Sequence, residues 1–321
     1  MLAAVSAAFR TYVGWKWVGA LVSIAIAGIA LVALANVLRN VHSDQIVDAL
    51  RRTSALRAGA ALLLVMGSYL SLTMYDLLAV RAIGLGNVSY RTAALASFVS
   101  YPIAHGIGAV LPVSAAIRYR IYSAHGVSAG DVARICFLTG ITFWLGNLTM
   151  LGLSGSVVPL AIGPLSELPP WVSRMLAMAL LSAVVGYLGW VGTGPRVIGR
   201  RKWTIRLPSG RAVLLQIVVG IVDLFCAAAA MYLLIPPEMD VGVATITAVF
   251  AAAMVLGFVS HMPGGIGAFD ATILVGLGGQ HNEPLIAALL LFRLFYHVIP
   301  FVVAVVMFGA LEGWRSVLKA L

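Results

Sequence analysis

The sequence has 321 residues, of which 61% are hydrophobic and only 10% are charged. A soluble protein of this length needs far more charged residues to cover its surface, so the composition excludes a soluble globular domain. The net charge of +10 would suit a nucleic-acid-binding protein, but the basic residues lie between apolar segments, as in membrane-protein loops. We therefore expect a membrane as partner and no nucleic acid.

Apolar segments of about 20 residues can cross a bilayer as helices. We count about eight of them, and they predict an all-α polytopic membrane protein with one membrane-embedded domain over residues 1–321. The first segment has no small-residue cleavage pattern, so we interpret it as a retained helix and not as a signal peptide. The segments are 17–38, 58–80, 92–111, 135–158, 175–193, 212–235, 241–260 and 284–310.

Two of these segments each contain one acidic residue, Asp76 in the second and Asp223 in the sixth. A carboxylate in hydrocarbon costs about 2.5–3.5 kcal/mol on insertion scales, and such residues usually face a polar pathway. We expect a basic partner to keep Asp223 ionised, with Arg118, Arg120 and Arg293 as the candidates. The alternative is a set of static ion pairs that only fix the packing of the helices.

Each half of the chain also contains a break that is rich in proline and glycine. Pro112 and Pro263 lack an amide proton, so the helix before each of them should end there. The segments that follow, 112–126 and 263–279, are too short to cross about 30 Å of hydrocarbon as helices. We therefore predict two re-entrant hairpins. The residues at the breaks are Pro112, Pro263, Gly264, Gly265 and Gly267.

The order of these features suggests an internal repeat. An acid-bearing span, an alanine-rich span, a break and a closing span follow one another over about 58–158 and again over about 212–311. Transporters commonly contain such repeats, with discontinuous helices that meet near the middle of the membrane. The alternative is that two membrane segments rich in alanine and glycine are alike in composition only.

The polar residues of the two halves predict a single translocation site. The arginine fork binds two phosphate oxygens at once, and nearby acids would hold the arginines when no lipid is bound. A helix would place Arg293, Tyr296 and His297 on one face. His105 and His261 suit a structural role, with a proton relay as the alternative. The predicted site residues are Asp76, Arg118, Arg120, Asp223, Asp270 and Arg293.

Charge also predicts the orientation of the loops. The loop 196–211 has six basic residues and no acid, so it should be cytoplasmic, unless its role is to contact anionic lipid headgroups. The stretch 118–134 should be cytoplasmic too, and 236–240 should be outside. The N-terminus is then outside if the segment 112–126 stays re-entrant, and inside if that segment crosses the membrane.

The sequence contains no recognisable catalytic or cofactor-binding motif. Cys136 and Cys226 both lie inside apolar segments, which is neither a disulfide framework nor a zinc pattern. No nucleotide-binding loop, catalytic triad or metal motif is present. We therefore expect no enzyme activity, no metal and no cofactor, and any transport would run downhill or be coupled to an ion or proton gradient.

Several segments resemble a known family. They are Tyr-Asp-Leu-Leu-Ala-Val-Arg at 75–81, Ile-Arg-Tyr-Arg-Ile-Tyr-Ser-Ala-His-Gly-Val-Ser at 117–128 and Thr-Phe-Trp-Leu-Gly at 142–146. Over about 60–310 the chain looks like the N-terminal flippase region of the bifunctional lysylphosphatidylglycerol synthase/flippase, the multiple peptide resistance factor. The segment Pro-Gly-Gly-Ile-Gly-Ala-Phe-Asp at 263–270 is similar to a proline-glycine motif of the wider family.

The resemblance implies a role in lipid transport. In that family a cytosolic acyltransferase domain moves an amino acid from tRNA to phosphatidylglycerol, and the flippase region exposes the product on the outer leaflet. The exposed cationic lipid repels cationic antimicrobial peptides. The important polar residues of the family fall on Asp76 and Arg118, and less closely on Asp223, where the family often has Glu. These 321 residues contain no acyltransferase domain, so synthase activity is not implied.

Together these features predict a multi-pass protein of the bacterial inner membrane. It would move aminoacylated phosphatidylglycerol, lysyl or alanyl, from the inner to the outer leaflet and so give resistance to cationic antimicrobial peptides. The alternatives are a transporter of another anionic lipid or of a small anionic solute, and a membrane scaffold for a lipid-modifying enzyme. The protein partners that this function allows are a separate synthase and a second copy of the chain.

Overall fold

The computed structural model describes residues 50–51, 53–158, 169–200, 203–260, 267–277 and 283–320. This part of the chain is built from α-helices, apart from one short β-ribbon, and it confirms the all-α class predicted from the sequence. The first predicted span, 17–38, lies outside the described residues. So do His261, Pro263, Gly264 and Gly265.

The described helices account for the predicted polytopic architecture. Five stretches are long and apolar enough to cross a membrane: α1, α4, α5, α6 and the continuous run Glu283–Trp314, where a π-helical turn, Leu294–Val298, joins α9 to α10. The helices are α1 Ala55–Ala82, α2 Tyr90–Ile107, α3 Val110–Tyr122, α4 Ala129–Val157, α5 Pro170–Gly192, α6 Gly210–Leu234, α7 Val243–Val259, α8 Ala268–Leu277, α9 Glu283–Arg293 and α10 Ile299–Ala320.

Serine caps explain where several helices begin. The hydroxyl oxygens of Ser54, Ser89 and Ser128 accept hydrogen bonds from backbone N–H groups in the first turns of α1, α2 and α4. Helix α4 therefore starts at Ala129, six residues before the apolar segment predicted from residue 135. Helix α3 continues to Tyr122. Most of the stretch 118–134, which charge predicts to be cytoplasmic, is therefore helical.

The first predicted break is present, but its position differs from the prediction. Helix α2 ends at Gly108, which adopts φ 84° and donates its N–H to the Ala104 carbonyl at 3.1 Å. Only glycine adopts this left-handed conformation without strain. Pro112 instead lies in the first turn of α3, where its missing N–H is not needed. The helix is therefore stopped by the glycine, and the expectation that Pro112 stops it is wrong.

Short helices follow both breaks and pack back against the preceding helix. Helix α3 has 13 residues, so it reaches about 20 Å along its axis, and it packs along α2. In the second half, α8 packs along α7 in a similar way. Gly267 directly precedes α8 with φ 92°, and its N–H donates to Asp270 Oδ2 at 3.0 Å. The predicted repeat of the two halves remains a prediction.

The two acid-bearing helices pack against each other at the centre of the bundle. Helix α1 contacts α6 over much of its length, and small residues such as Ala61 and Ala227 lie in this core. Helix α4 also crosses α6 closely, because Gly146 and Gly220 meet without side chains: a Cβ added to Gly146 would lie 2.6 Å from the Gly220 backbone. Glycine at both positions allows this close approach of the backbones.

The basic loop between α5 and α6 contains a β-ribbon that the sequence analysis missed. Strand β1, Val197–Arg200, pairs antiparallel with β2, Trp203–Arg206, with Ile198 opposite Ile205. Arg134 on α4 donates from Nε to the Thr204 carbonyl at 3.1 Å. Since Ile205 is buried, the loop packs on the helix ends as an ordered element.

Candidate functional site

A cavity lies among the apolar helices, next to the break after α2. It contains about 940 Å³ of space not occupied by atoms, including its opening. Residues of α1, α2, α4, α6, α7, α8 and the π-helical turn line it, and most are aromatic or small. The polar side chains in its lining are Tyr69, Tyr101, His105, Asp223, Tyr296 and His297. A cavity with several polar groups inside an apolar bundle is the natural candidate for a binding site.

Asp223 on α6 is one of the two intramembrane acids found in the sequence, and it faces this cavity. It is only 2% exposed, and both of its carboxylate oxygens accept hydrogen bonds from α1. Ser68 Oγ donates to Oδ1, and Tyr75 OH donates to Oδ2 at 2.8 Å. These two donors are seven residues apart, which places them on one face of a helix.

The prediction that an arginine pairs with Asp223 is wrong. Among the residues that the structure describes, every ion pair uses another acid, and none includes Asp223. Two hydroxyl donors occupy the place expected for an arginine. A serine and a tyrosine in an apolar helix are too common to be recognised in the sequence as donors to one carboxylate. The one signal that could have indicated them is their i, i+7 spacing, which places both on one face of α1.

Asp76 and Arg118 form a closed ion pair beside the cavity. Arg118 donates from Nη2 to Asp76 Oδ1 at 2.7 Å and from Nε to Oδ2 at 2.9 Å, and the residues are 1% and 0% exposed. Tyr122 OH donates to Oδ2 at 2.9 Å, and Ser114 accepts from Arg118 Nη1. The structure therefore brings together the two residues matched to the family, and it buries both inside the protein.

One wall of the cavity separates it from that pair. Tyr101 lines the cavity, and the Arg118 guanidinium carbon lies over its ring, 4.8 Å from the ring centre. Arg118 itself is not among the lining residues. The guanidinium therefore contacts a residue of the cavity wall without lining the cavity.

The other predicted site residues form two further ion pairs. Arg293 pairs with Asp270, which links the end of α9 to α8. Arg120 donates to Glu312 Oε2 from Nη2 at 2.6 Å and from Nε at 3.1 Å, which links α3 to α10. Glu312 was missed in the sequence because it follows the last apolar segment and looks like an ordinary loop charge.

The charges around the cavity are therefore distributed differently from the prediction. Arg118, Arg120 and Arg293 each pair with an acid, and none of them lines the cavity. Asp223 is the acid that faces it. The predicted pairing of these arginines with nearby acids is thus seen, and the binding of phosphate by the arginines remains a prediction.

The π-helical turn Leu294–Val298 brings two more polar residues to the cavity. Tyr296 accepts a hydrogen bond at its carbonyl from Tyr69 OH at 2.9 Å, and its hydroxyl lies 3.3 Å from Ser68 Oγ. His297 Nδ1 is buried and has no hydrogen-bond partner among the described residues. The predicted regular helix face is thus interrupted by a π-helical turn, a feature common at functional sites.

Comparison with known proteins gives the family. The chain is 30% identical over 258 residues to the uncharacterized protein slr0712 of Synechocystis sp., and the match covers 80% of each chain. The chain belongs to the family of slr0712. It is also 27% identical over 293 residues to the inner membrane protein YbhN of Escherichia coli, with 88% of each chain covered. No family model matches the sequence.

A shorter match relates the slr0712 family to a lipid-modifying enzyme. The chain is 36% identical over 84 residues to the phosphatidylglycerol lysyltransferase of Staphylococcus haemolyticus, which is 25% of this chain and 10% of that protein. The match with the corresponding protein of Staphylococcus epidermidis covers 93 residues at 33% identity. The resemblance to the synthase/flippase family is therefore confirmed, and the chain is a multi-pass membrane protein related to it.

Proposed function

We propose that this protein moves a phospholipid between the leaflets of the bacterial inner membrane, and that the lipid is aminoacylated phosphatidylglycerol. The observation that carries the proposal is a cavity with six polar side chains in an otherwise apolar lining, in a chain related to phosphatidylglycerol lysyltransferases. An enzyme that makes a charged lipid on one leaflet needs a second activity to deliver it to the other.

The polar side chains of the cavity suit a headgroup and not a whole lipid. Its polar side chains come from α1, α2, α6 and the π-helical turn, so a headgroup could be surrounded while its acyl chains stay in the bilayer. Crossing hydrocarbon unaided exposes the headgroup charges to a medium that cannot solvate them. A protein-lined path lowers that barrier, and the direction of net movement then follows the lipid gradient or a coupled ion gradient.

The broken helices provide the parts that could move. Helices α3 and α8 are short and each begins at a break, and α3 forms the Asp76–Arg118 pair with α1. Gly108 and Val110, at the first break, line the cavity. We propose that rocking of these short helices opens the cavity to each side in turn, as in transporters with discontinuous helices.

Vesicles that contain the purified protein test the proposal directly. Lysyl-phosphatidylglycerol is added to the outer leaflet of preformed vesicles, and an impermeant amine-reactive reagent measures how much remains outside with time. We expect the protein to speed the loss of exposed amine, with Asp223→Asn slow and the exposed-acid control Glu238→Gln as fast as the unmodified protein. Equal rates in vesicles with and without protein would reject lipid translocation.

A further inference from the structure

The hydrogen-bond donors around the cavity are largely used within the protein. Ser68 and Tyr75 donate to Asp223, and Tyr69 donates to the Tyr296 carbonyl. Since the Ser68 proton is directed to Asp223, the Tyr296 hydroxyl donates to Ser68 Oγ. An anion such as phosphate needs free donors, and these four hydroxyl groups offer it none.

The Asp223 carboxylate, in contrast, has acceptor capacity left. A carboxylate has about four lone-pair positions, and each oxygen of Asp223 receives one hydroxyl hydrogen bond. No cation of the described residues pairs with it, although it is 2% exposed and lines the cavity. A buried carboxylate is stable as an ion only beside a positive charge, so a cationic ligand would complete this site.

Aromatic rings form much of the surrounding wall. A cation within about 6 Å of a ring centre is attracted to the electron-rich face. The Tyr69 and Tyr296 rings lie 5.6 Å apart, and Phe143 and Phe258 form a second pair with centres also 5.6 Å apart. The rings of the lining are Tyr69, Tyr101, Phe143, Phe258, Phe269 and Tyr296.

Nearby arginines do not oppose a cation in this cavity. Arg118 is neutralised by Asp76 and lies over the Tyr101 ring, and Arg293 is paired with Asp270. The lining therefore has one acid, six aromatic rings and two histidines, and no arginine of the described residues belongs to it. This combination is typical of sites that bind ammonium groups.

We propose that the cavity recognises a primary ammonium group of the lipid headgroup, held by Asp223 within the ring of aromatic side chains. This inference rests on the proposed function and deepens it, because it names the part of the lipid that is recognised. Aminoacylated phosphatidylglycerol has such a group and phosphatidylglycerol has none. Phosphatidylethanolamine also has one, so the shared chemistry is the ammonium group, and the lipid that supplies it is a matter for experiment.

Binding to the unmodified full chain tests the inference without any substitution. Native mass spectrometry in detergent would compare lysyl-phosphatidylglycerol, its fully N-acetylated form, phosphatidylethanolamine and phosphatidylglycerol, each with the same acyl chains. Acetylation removes the charge and keeps the rest of the headgroup. We expect the acetylated lipid to bind about tenfold more weakly or worse, the range of a lost charge-assisted hydrogen bond. Equal binding of the two forms would overturn the inference.

Comparison of the two amine-bearing lipids identifies the source. Tight binding of lysyl-phosphatidylglycerol alone assigns the site to aminoacylated lipid, and equal binding of phosphatidylethanolamine assigns it to primary ammonium lipids in general. Preferential binding of phosphatidylglycerol, or displacement of the lipid by inorganic phosphate, would instead indicate an anion site and reject the inference.

Variants locate the site. Asp223→Asn should remove the preference for the free amine, and Glu238→Gln should keep it, since Glu238 is exposed on the loop after α6. Tyr296→Leu removes one aromatic ring of the lining and should weaken the preference, which tests the site even if the aspartate variant does not fold. A preference that survives in a folded Asp223→Asn protein would contradict the role assigned to Asp223.

The vesicle assay separates this inference from the proposed function. If acetylated lysyl-phosphatidylglycerol, followed through a headgroup label, crosses as fast as the free amine form, translocation stands and ammonium recognition fails. If no lipid crosses but the free amine form still binds through Asp223, ammonium recognition stands and translocation fails.

Discussion

At the scale of single residues, the Asp76–Arg118 pair is the most constrained feature of the described structure. Both side chains are almost fully buried, and the carboxylate receives bonds from Arg118 and Tyr122. Burying two ions costs several kcal/mol each, and their mutual attraction with extra hydrogen bonds offsets that cost. The pair therefore stabilises the packing of α3 on α1 only while both members are present.

Removing one member of this pair should be worse than removing both. We expect Asp76→Ala or Arg118→Ala to destabilise the protein by about 3–5 kcal/mol, because one uncompensated charge stays buried, and Asp76→Leu with Arg118→Met to cost much less. Thermal unfolding in detergent, followed by size-exclusion chromatography, measures this. Arg134→Ala is the control, since its partly exposed pair with Asp131 contributes about 0–1 kcal/mol and its bond to the Thr204 carbonyl lies at the surface. Equal losses of stability in the single and double variants would mean that the two charges do not stabilise each other.

The residue scale also explains why Asp223 differs from Asp76. Both acids lie inside apolar helices, but Asp76 faces α3, which supplies Arg118, and Asp223 faces α1, which supplies only hydroxyl groups. Asp223 also faces the cavity, where a ligand can reach it. Two similar acids in the sequence therefore have different surroundings: one is paired with an arginine between two helices, and the other lines the cavity, where we propose that it binds the ligand.

At the scale of helices, α4 and α6 cross closely at two glycines. A Cβ on Gly220 would lie 2.8 Å from the Gly146 Cα and 2.9 Å from the Thr142 carbonyl oxygen. Backbone atoms cannot move aside as the end of a flexible side chain can. The position of α6, and with it Asp223, therefore depends on these glycines.

A larger residue at this crossing should separate the helices. We expect Gly220→Val to lower the free energy of unfolding by about 1–3 kcal/mol or more through overpacking, and to weaken lipid translocation because Asp223 is displaced. Thermal unfolding and the vesicle assay measure the two effects. Gly140→Ala on α4 is the matched control, because nothing lies within 4 Å of its added Cβ. Similar behaviour of both variants would argue against a tight crossing.

The end of α2 offers a second test at this scale. We expect Gly108→Ala to destabilise the protein by about 1–2 kcal/mol, because alanine is strained at φ 84°, and Pro112→Ala to have little effect in the first turn of α3. Thermal unfolding of the two variants under the same conditions decides between them. A larger loss of stability for Pro112→Ala than for Gly108→Ala would indicate that the proline ends the helix, as the sequence predicted.

At the scale of the whole molecule, the β-ribbon and the loop after α6 mark opposite ends of one membrane-crossing helix. The ribbon precedes Gly210, where α6 begins, and Glu238 follows Leu234, where α6 ends. The basic residues of the ribbon loop should hold it on the cytoplasmic side. The orientation of the bundle follows from this single assignment.

Cysteine labelling measures that orientation. In a background without Cys136 and Cys226, we expect Glu238→Cys to react with an impermeant maleimide in intact cells, and Thr204→Cys to react only after the membrane is permeabilised. Both positions are exposed, so access to reagent depends on the side of the membrane. The opposite labelling pattern would reverse the orientation and the predicted direction of lipid movement.

The sequence by itself determined the class of the protein and the acids inside its apolar segments. Apolar segments of about 20 residues cross the bilayer as helices, because no water is present there to hydrogen-bond with an exposed backbone. Charged residues within such segments are too costly to be accidental. This reasoning found Asp76, Arg118 and Asp223, and the short family motifs pointed to the relatives.

Only the tertiary structure decided which residues meet. Partners are chosen by the rotation and tilt of packed helices, so neither the pairing of Arg120 with Glu312 nor the hydroxyl donors of Asp223 could be deduced from chain order. The end of a helix depends on backbone geometry, which stopped α2 at Gly108 and left Pro112 inside α3. For the same reason the arginines that suggested a phosphate cleft lie beside acids, and an acid among aromatic rings faces the cavity.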